Sequence, residues 1–492
     1  MTAFVSAPMS SGADARARVE RRFWRWPLIF VVLLGWTLLV NWPFLRLEDA
    51  DDGFFLEVAH LWTRGFPPYV ASFDIKGPGF FAVLALALKV FAPTLTTLKL
   101  MGVAGSAVAA TLLFSITERL GRPVAILCAA AYPILLVVNG DAAYCVMNAF
   151  LLTAYALALG ERRGFGPALG AGLAVGVACA FKQTCAIDAL AVLYFLLARG
   201  ERSPVRTALA FGASAALAPL AFLAYFAAIG ATGIFLDDVV WTALARSDGV
   251  SFAVALRALL EWMMPFSVVV VALAGALLNL RAIEERKPVR AFAIWLAFAF
   301  ASLALQRAGY RTYVVPMIAP MLALGAAYVD HVCRGLTPGR RNAVFGAFGA
   351  SIFAGALFGH GAAMLRKLPV VDDQALGLMS ASLQNAHASP ADRLLVLNGA
   401  PWLNLVTDLR PPTAVFHPGH FQCDFPGAGE PALWAALAAK PRFVMLENPS
   451  RRPVCESQAT ADAIEAGLAA GYRVVDSGGA ANTAYRLYEV RR

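Results

Sequence analysis

Apolar stretches of about twenty residues, separated by short polar connections, dominate the first three-quarters of the chain. They lie near 27–45, 97–116, 123–139, 142–160, 165–181, 184–198, 206–229, 254–280, 291–306, 313–330 and 342–364. A bilayer core of roughly 30 Å takes about 20 apolar residues of helix, so the pattern predicts about eleven transmembrane helices. The first run is too long for a cleaved signal peptide, contains Trp36 and Trp42, and lacks a small-residue cleavage site. It reads as an uncleaved anchor. A twelfth stretch, 78–91, is read as an interfacial or partly buried helix, because counting it as a span reverses the side of every later basic loop.

The pattern changes after residue 365. Residues 366–492 carry turn residues and strand-like runs at 394–397, 443–446, 472–475 and 485–490, with alanine-rich helical segments at 431–439 and 460–470 between them. This predicts a small α/β domain. The expected organisation is a basic N-terminus (1–26), a transmembrane domain (27–365) whose first outer loop is 46–96, and the C-terminal domain (366–492). The fold class is therefore mostly α, polytopic, with an appended α/β domain.

Composition excludes soluble classes. Of 492 residues, 59% are hydrophobic and 15% charged, far from the even balance of a soluble domain, and the mean hydropathy is +0.64. The net charge of +9 is a matter of topology and not of nucleic-acid binding, because residues 366–492 hold 12 basic and 12 acidic side chains. The excess lies in the short connections. Arg16, Arg18, Arg21, Arg22 and Arg25 precede the first span and place the N-terminus in the cytoplasm. Alternation then puts 117–122, 161–164, 199–206, 281–290 and 331–341 inside. Those connections and the N-terminus hold 19 basic residues, against about eight outside, and the C-terminal domain falls outside.

Only two of the seven cysteines, Cys423 and Cys455, share the outer domain, where an oxidising compartment permits a disulfide between them. The alternative is two cysteines too far apart to bridge. No CxxC or HExxH spacing occurs, and the six histidines form no ligand cluster. His417-Pro418-Gly419-His420 reads as a turn.

Candidate chemistry concentrates in the first outer loop. Glu48-Asp49-Ala50-Asp51-Asp52-Gly53 puts four acids within five residues at the end of a membrane helix. A helical segment, 54–63, follows, then Gly65-Phe66-Pro67-Pro68-Tyr69 and Phe73-Asp74-Ile75-Lys76-Gly77-Pro78-Gly79. On residue types alone, this is either a catalytic carboxylate with a phosphate-binding lysine about 25 residues on, or a solvated acidic loop that helps orient the first span.

The order acid-acid-Gly, helix, Gly-x-x-Pro-Tyr, Phe-Asp-x-Lys-x-Pro-Gly and apolar helix resembles the GT-C glycosyltransferases of the dolichyl-phosphate-mannose protein mannosyltransferase type. Their bacterial relatives include the aminoarabinose transferases of lipid A. The resemblance covers the whole chain in outline, and its specific part is Asp51 to Gly79. It implies an inverting transfer of a sugar from a polyprenyl-phosphate carrier to an extracytoplasmic acceptor (lipid, glycan or protein hydroxyl), by a multi-pass protein of the inner membrane with its C-terminal domain periplasmic. Asp51 best matches the family's base. Asp52 stands where relatives often carry Glu, and Asp49 is a possible substitute. Lys76 matches the lysine of a Lys-Pro-Pro-like turn, although this chain reads Lys-Gly-Pro. Some branches use a divalent metal, Mg²⁺ or Mn²⁺, and others none. The residue chemistry agrees, since an attacking hydroxyl needs a base within hydrogen-bond reach and a leaving phosphate needs cations.

Further outer positions complete the expected cavity. Asp141, after Asn139-Gly140, is a second carboxylate or a plain loop residue. Lys182 and Gln183 sit between two spans with almost no loop around them, so phosphate contact and snorkelling both remain open for the lysine. Arg307, Tyr310 and Arg311 precede a late span, and basic residues there oppose the inside bias, which makes a lipid-linked phosphate their natural partner. Tyr69 and Asp74 join them on the substrate side. The segment 234–250 reads as an interfacial helix rather than a lid, and Arg257 with Glu261 as an i,i+4 ion pair. A transporter or flippase is the alternative function. It places ionisable groups at the bilayer midplane in inverted repeats, neither of which the sequence has.

Overall fold

A computed structural model describes residues 12–48, 51–139, 141–199, 203–245, 252–285, 287–306, 310–362, 365, 373–399, 401–417, 429–449, 458–480 and 483–491. Helices occupy most of it, in the order α1 (Gly12–Asn41), α2 (Asp52–Thr63), α3 (Pro78–Leu88), α4 (Leu95–Thr117), α5 (Arg122–Asn139), α6 (Ala142–Leu159), α7 (Phe165–Phe181), α8 (Cys185–Ala198) and α9 (Pro204–Ala228). The short α10 (Thr232–Leu236) and α11 (Ala243–Ala245) flank a π turn, Asp237–Thr242. Then come α12 (Phe252–Met263), α13 (Ser267–Leu278), α14 (Leu280–Glu284), α15 (Arg290–Gln306), α16 (Val315–Val332) and α17 (Pro338–Ala354).

Six of the described helical stretches are long and apolar enough to cross a membrane: Arg25–Phe44, Leu95–Leu120, Ala142–Leu159, Pro204–Ala228, Arg311–Gly335 and Pro338–Gly359. Shorter apolar helices include Phe165–Phe181, Cys185–Ala198 and Arg290–Leu305. One expected run is not continuous. The stretch 254–280 divides into α12 and α13 around a 3-10 turn at Met264–Phe266. Pro265 has no N–H to give the helical ladder, and its ring opposes the preceding carbonyl, so the helix stops there. The expected i,i+4 pair does form on α12, with Arg257 Nε 2.9 Å from Glu261 Oε1.

The helices pack through small residues, as helices must where lipid supplies no hydrophobic drive. On α7, Gly172 and Gly176 stand one turn apart against α9. A Cβ at Gly172 would lie 2.3 Å from the Phe211 carbonyl oxygen, and one at Gly176 would lie 2.2 Å from that of Ala215. Any side chain at either position forces the two backbones apart.

Contacts at the helix ends sort the connections into two groups. At one end, Lys287 donates to the Leu120 carbonyl and Arg199 donates to the Gly160 and Arg162 carbonyls. At the other, Gln183 reaches the Ile75 and Val239 carbonyls. Helix α3 starts at this second end. Its Phe80, Phe81 and Leu84 are buried against α2 and α7.

The C-terminal residues form α18 (Asp373–Asn385), β1 (Leu394–Leu397), α19 (Trp402–Thr407), α20 (Gly429–Ala438), β2 (Phe443–Glu447), α21 (Gln458–Gly471), β3 (Tyr472–Ala480) and β4 (Thr483–Val490). The sheet order is β1-β2-β4-β3. β1 and β2 run parallel, and β4 is antiparallel to both of its neighbours. Alternate side chains face opposite layers, as a pleated strand requires. Leu394, Val396, Phe443 and Met445 pack with Met379 and Leu383 of α18. Leu395, Leu397, Val444 and Leu446 pack with Leu433 of α20 and with Ile464 and Leu468 of α21. Trp402, Leu405 and Phe416 instead join the core of the helical bundle, which docks this unit on α2.

Candidate active site

Helix α2 begins at the acidic cluster, and its first two acids diverge. Asp51 sits at the N-cap position, its carbonyl accepting the Phe55 N–H at 2.9 Å. Asp52, the next residue, is fully buried and pairs with Lys99 of α4 at 2.6 Å. A carboxylate in the first helical turn is favoured by the helix dipole, and Lys99 compensates its burial. Asp52 thus ties α2 to the bundle, leaving Asp51 on the half-open rim with 38% of its side chain exposed.

The Lys76 turn is fixed from four directions. The Asp74 carboxylate accepts the Lys76 backbone N–H at 3.0 Å, an Asx turn. The Tyr69 hydroxyl donates to the Lys76 carbonyl at 2.7 Å, and its ring is buried against Phe226 and Phe235. The Gln183 amide donates to the Ile75 carbonyl at 3.1 Å and to the Val239 carbonyl at 2.6 Å. The Gly77 N–H donates to the Phe181 carbonyl at 3.1 Å. The last bond explains the departure from a Lys-Pro-Pro turn, because proline has no N–H to give. A Cβ at Gly77 would also fall 2.1 Å from the Ala180 carbonyl oxygen.

So held, the Lys76 ammonium lies 3.0 Å from Asp51 Oδ2, 3.8 Å from Asp74 Oδ2 and 4.7 Å from the centre of the Phe55 ring. Burial pulls its pKa down, but the Asp51, Asp74 and Asp141 carboxylates together raise it above the ordinary lysine value. Lys76 is therefore a fixed cation at any pH of interest. Asp141 caps α6 by accepting the Tyr144 N–H at 2.8 Å. Lys182 donates to the Tyr144 hydroxyl and stands 3.4 Å from the centre of the Tyr313 ring. Tyr310 packs edge-on to Tyr313 at 5.6 Å, and Arg311 opens the 3-10 turn that follows.

The structure thus groups Asp51, Asp74, Lys76, Tyr69 and Gln183, with Asp141, Lys182, Tyr310 and Arg311 along the adjoining helix ends. Asp52 faces Lys99 instead. Asp49, Arg307, Cys423 and Cys455 lie outside the described residues. Among the described residues, no group of three or more His, Cys, Asp or Glu side chains is placed to hold a metal ion.

One neighbour was not anticipated. His417, read as a turn residue, is 7% exposed, packs edge-on against Phe54 at 5.0 Å, and brings Nε2 to 3.6 Å from Asp51 Oδ1. No spacing signal connects it to Asp51, since the two meet only when the C-terminal unit docks on α2. That docking also uses Phe73 N–H to the Ala414 carbonyl at 2.9 Å, a hydrogen bond from Trp402 to Glu48, and Asp408, which receives His60 at 2.8 Å and Arg64 at 2.9 Å. Beneath it, Glu57 is 2% exposed, and burial raises its pKa to about 8, with Arg64 lowering and Asp408 raising it.

The fold is that of the GT-C glycosyltransferases. Similar solved structures include ArnT from Cupriavidus metallidurans bound to undecaprenyl phosphate, at 15% identity and a TM-score of 0.62, covering 94% of this chain and 98% of that one. The AglB oligosaccharyltransferase of Archaeoglobus fulgidus, in complex with an inhibitory peptide and a dolichol-phosphate, matches at 14% identity and 0.52, covering 87% and 70%. The mycobacterial arabinofuranosyltransferase AftD matches at 15% and 0.55, covering 94% of this chain and 40% of that one. No family model and no curated protein matches the sequence.

Proposed function

We propose that this chain is an inverting glycosyltransferase that takes a sugar from a polyprenyl-phosphate carrier and passes it to an acceptor hydroxyl on the outer side of the membrane. The observation that carries the reading is the Asp51–Lys76 pair at 3.0 Å, a carboxylate and a fixed cation on a braced turn beside Lys182. The GT-C fold, shared with proteins solved with polyprenyl phosphates, supports it.

Asp51 takes the proton of the acceptor hydroxyl while that oxygen attacks the anomeric carbon. The bond from that carbon to the phosphate oxygen breaks on the opposite face, and the phosphate leaves with the electron pair. Lys76 meets the growing charge, with Lys182, Arg311 and Arg307 as further cations for the donor phosphate. Asp141 and Asp74 keep Lys76 charged, Asp52 anchors α2, and Tyr69 and Gln183 brace the turn. His417 is a positioning residue for Asp51. The N-terminus lies in the cytoplasm and residues 366–492 on the outer, periplasmic face, as the two groups of end contacts and the basic connections favour.

The test is transfer in membranes from cells expressing wild type and Asp51→Asn, supplied with labelled polyprenyl-phosphate sugars. Transfer by wild type that collapses in an intact Asp51→Asn protein supports the class and the base together. Movement of intact lipid-linked sugar across the bilayer without transfer overturns it in favour of a flippase.

A further inference from the structure

The far end of α16 carries a second cluster of charge. The Asp330 carboxylate, 3% exposed, is divided between Lys287 on one oxygen and Arg341 on the other. Four residues on, in the 3-10 turn Cys333–Gly335 that ends the helix, stands Arg334. Its guanidinium turns inward. Nη1 and Nη2 are both buried, and neither has a hydrogen-bond partner among the described residues. Arg341 Nε and His331 Nδ1 are in the same state.

An arginine kept only to orient a span behaves in the opposite way, laying its stem on apolar surface and lifting its head into water. Buried guanidinium nitrogens without acceptors are unfavourable, and the carboxylate on this face is already used by two other cations. Lys287, Arg334 and Arg341 stand at this end of the helix with the Asp330 carboxylate, three cations to one buried acid. The cluster lies about 27 Å along α16 from the Tyr313 end, too far to serve the Asp51–Lys76 site.

We infer that the end of α16 is a second anion site that takes a phosphate-bearing group, with Arg334 as its fork. The two terminal N–H groups of a guanidinium match two phosphate oxygens in one plane, which an ammonium cannot do. An anionic lipid headgroup and free phosphate share this chemistry, and the two sources separate by experiment.

Purified full-length protein in detergent is titrated with phosphatidylglycerol, phosphatidylcholine or inorganic phosphate, reading retained lipid by native mass spectrometry and the thermal midpoint. Wild type retains phosphatidylglycerol over phosphatidylcholine by about tenfold or more, Arg334→Gln loses the preference, and Arg334→Lys recovers only part of it. A midpoint rise with inorganic phosphate that Arg334→Gln abolishes also supports the site and names free phosphate as its source. Equal retention of both lipids by wild type with no response to phosphate overturns the inference, whether or not Arg334→Gln folds. An Arg334→Gln protein that responds like wild type overturns it as well.

Discussion

Replacing Gly77 by alanine isolates the geometry of the lysine turn from its charge. The backbone at Gly77 has φ −68° and ψ 157°, which alanine adopts without strain, so the whole effect is steric. The added Cβ falls 2.1 Å from the Ala180 carbonyl oxygen and 2.8 Å from its carbon. Both are backbone atoms at the end of α7, which cannot rotate aside. Relief to an ordinary contact of about 3.3 Å moves one backbone by about 1 Å. That displacement breaks the Gly77–Phe181 hydrogen bond and carries Lys76 off Asp51. Overpacking of this kind costs about 1–3 kcal/mol of stability, and a 1 Å misplacement of a reacting group costs about a hundredfold in rate. The assay is the thermal midpoint of the purified protein together with sugar transfer from the polyprenyl-phosphate panel. Gly35→Ala serves as control, since no atom lies within 4 Å of its added Cβ. A Gly77→Ala protein with wild-type midpoint and wild-type transfer would refute the claim that this contact sets the turn.

Further expectations follow from the same geometry. On the proposed reading Asp51→Asn lowers kcat by about 10²–10⁴, with a smaller fall in the thermal midpoint than Asp52→Asn, because the side chain lies on the rim and Lys76 keeps Asp74 beside it. Asp52→Asn does the reverse, since it leaves the half-buried Lys99 without its counter-charge, and the midpoint falls while surviving protein keeps its kcat. Burial raises the Glu57 carboxyl from 4.5 to about 8, so the folded chain holds a proton that the unfolded chain has released across that window. Stability therefore falls as pH rises from about 4.5 to 8, by on the order of 5 kcal/mol at most. Glu57→Gln flattens that slope in a midpoint-versus-pH series, and an unchanged slope counts against the burial argument. On the proposed reading His417→Gln lowers kcat by about tenfold and leaves the donor KM in place, whereas a purely structural histidine moves the midpoint alone.

Periodicity alone located much of this molecule. Helix α2 runs Asp52–Thr63 where the segment 54–63 was expected, and strands β1 to β4 begin within two residues of the strand-like runs. Local signals of this kind survive folding because burial of one face and the backbone ladder are set within a few residues. The site was legible only as a set of charges. Asp51 and Asp52 are chemically alike and adjacent, and 100° of helical rotation sends one to the rim and the other to Lys99. Nothing in their spelling says which. Gly77 departs from the family's proline turn, and only Phe181 and Ala180, distant in sequence, supply the reason for it. His417, followed in sequence by Pro418 and Gly419, reads as a turn residue. Its neighbour in space is Asp51, brought there by tertiary docking that leaves no periodic trace.

The same pair that marks the site also bears on its order of events. In the resting chain the Lys76 ammonium leans on Asp51, so that carboxylate is already engaged in an ion pair. A phosphate group arriving beside Lys76 competes for the same three N–H donors. On the proposed reading, each bond that Lys76 gives the phosphate is drawn from Asp51, which frees that carboxylate to accept from the acceptor hydroxyl. The base then becomes competent as the donor is seated and idles without it, which suppresses proton abstraction when no sugar is present. The four braces on the turn acquire a purpose in this scheme. Lys76 has to stay within reach of both Asp51 and the phosphate, and a lysine free to follow the phosphate alone would leave the coupling behind.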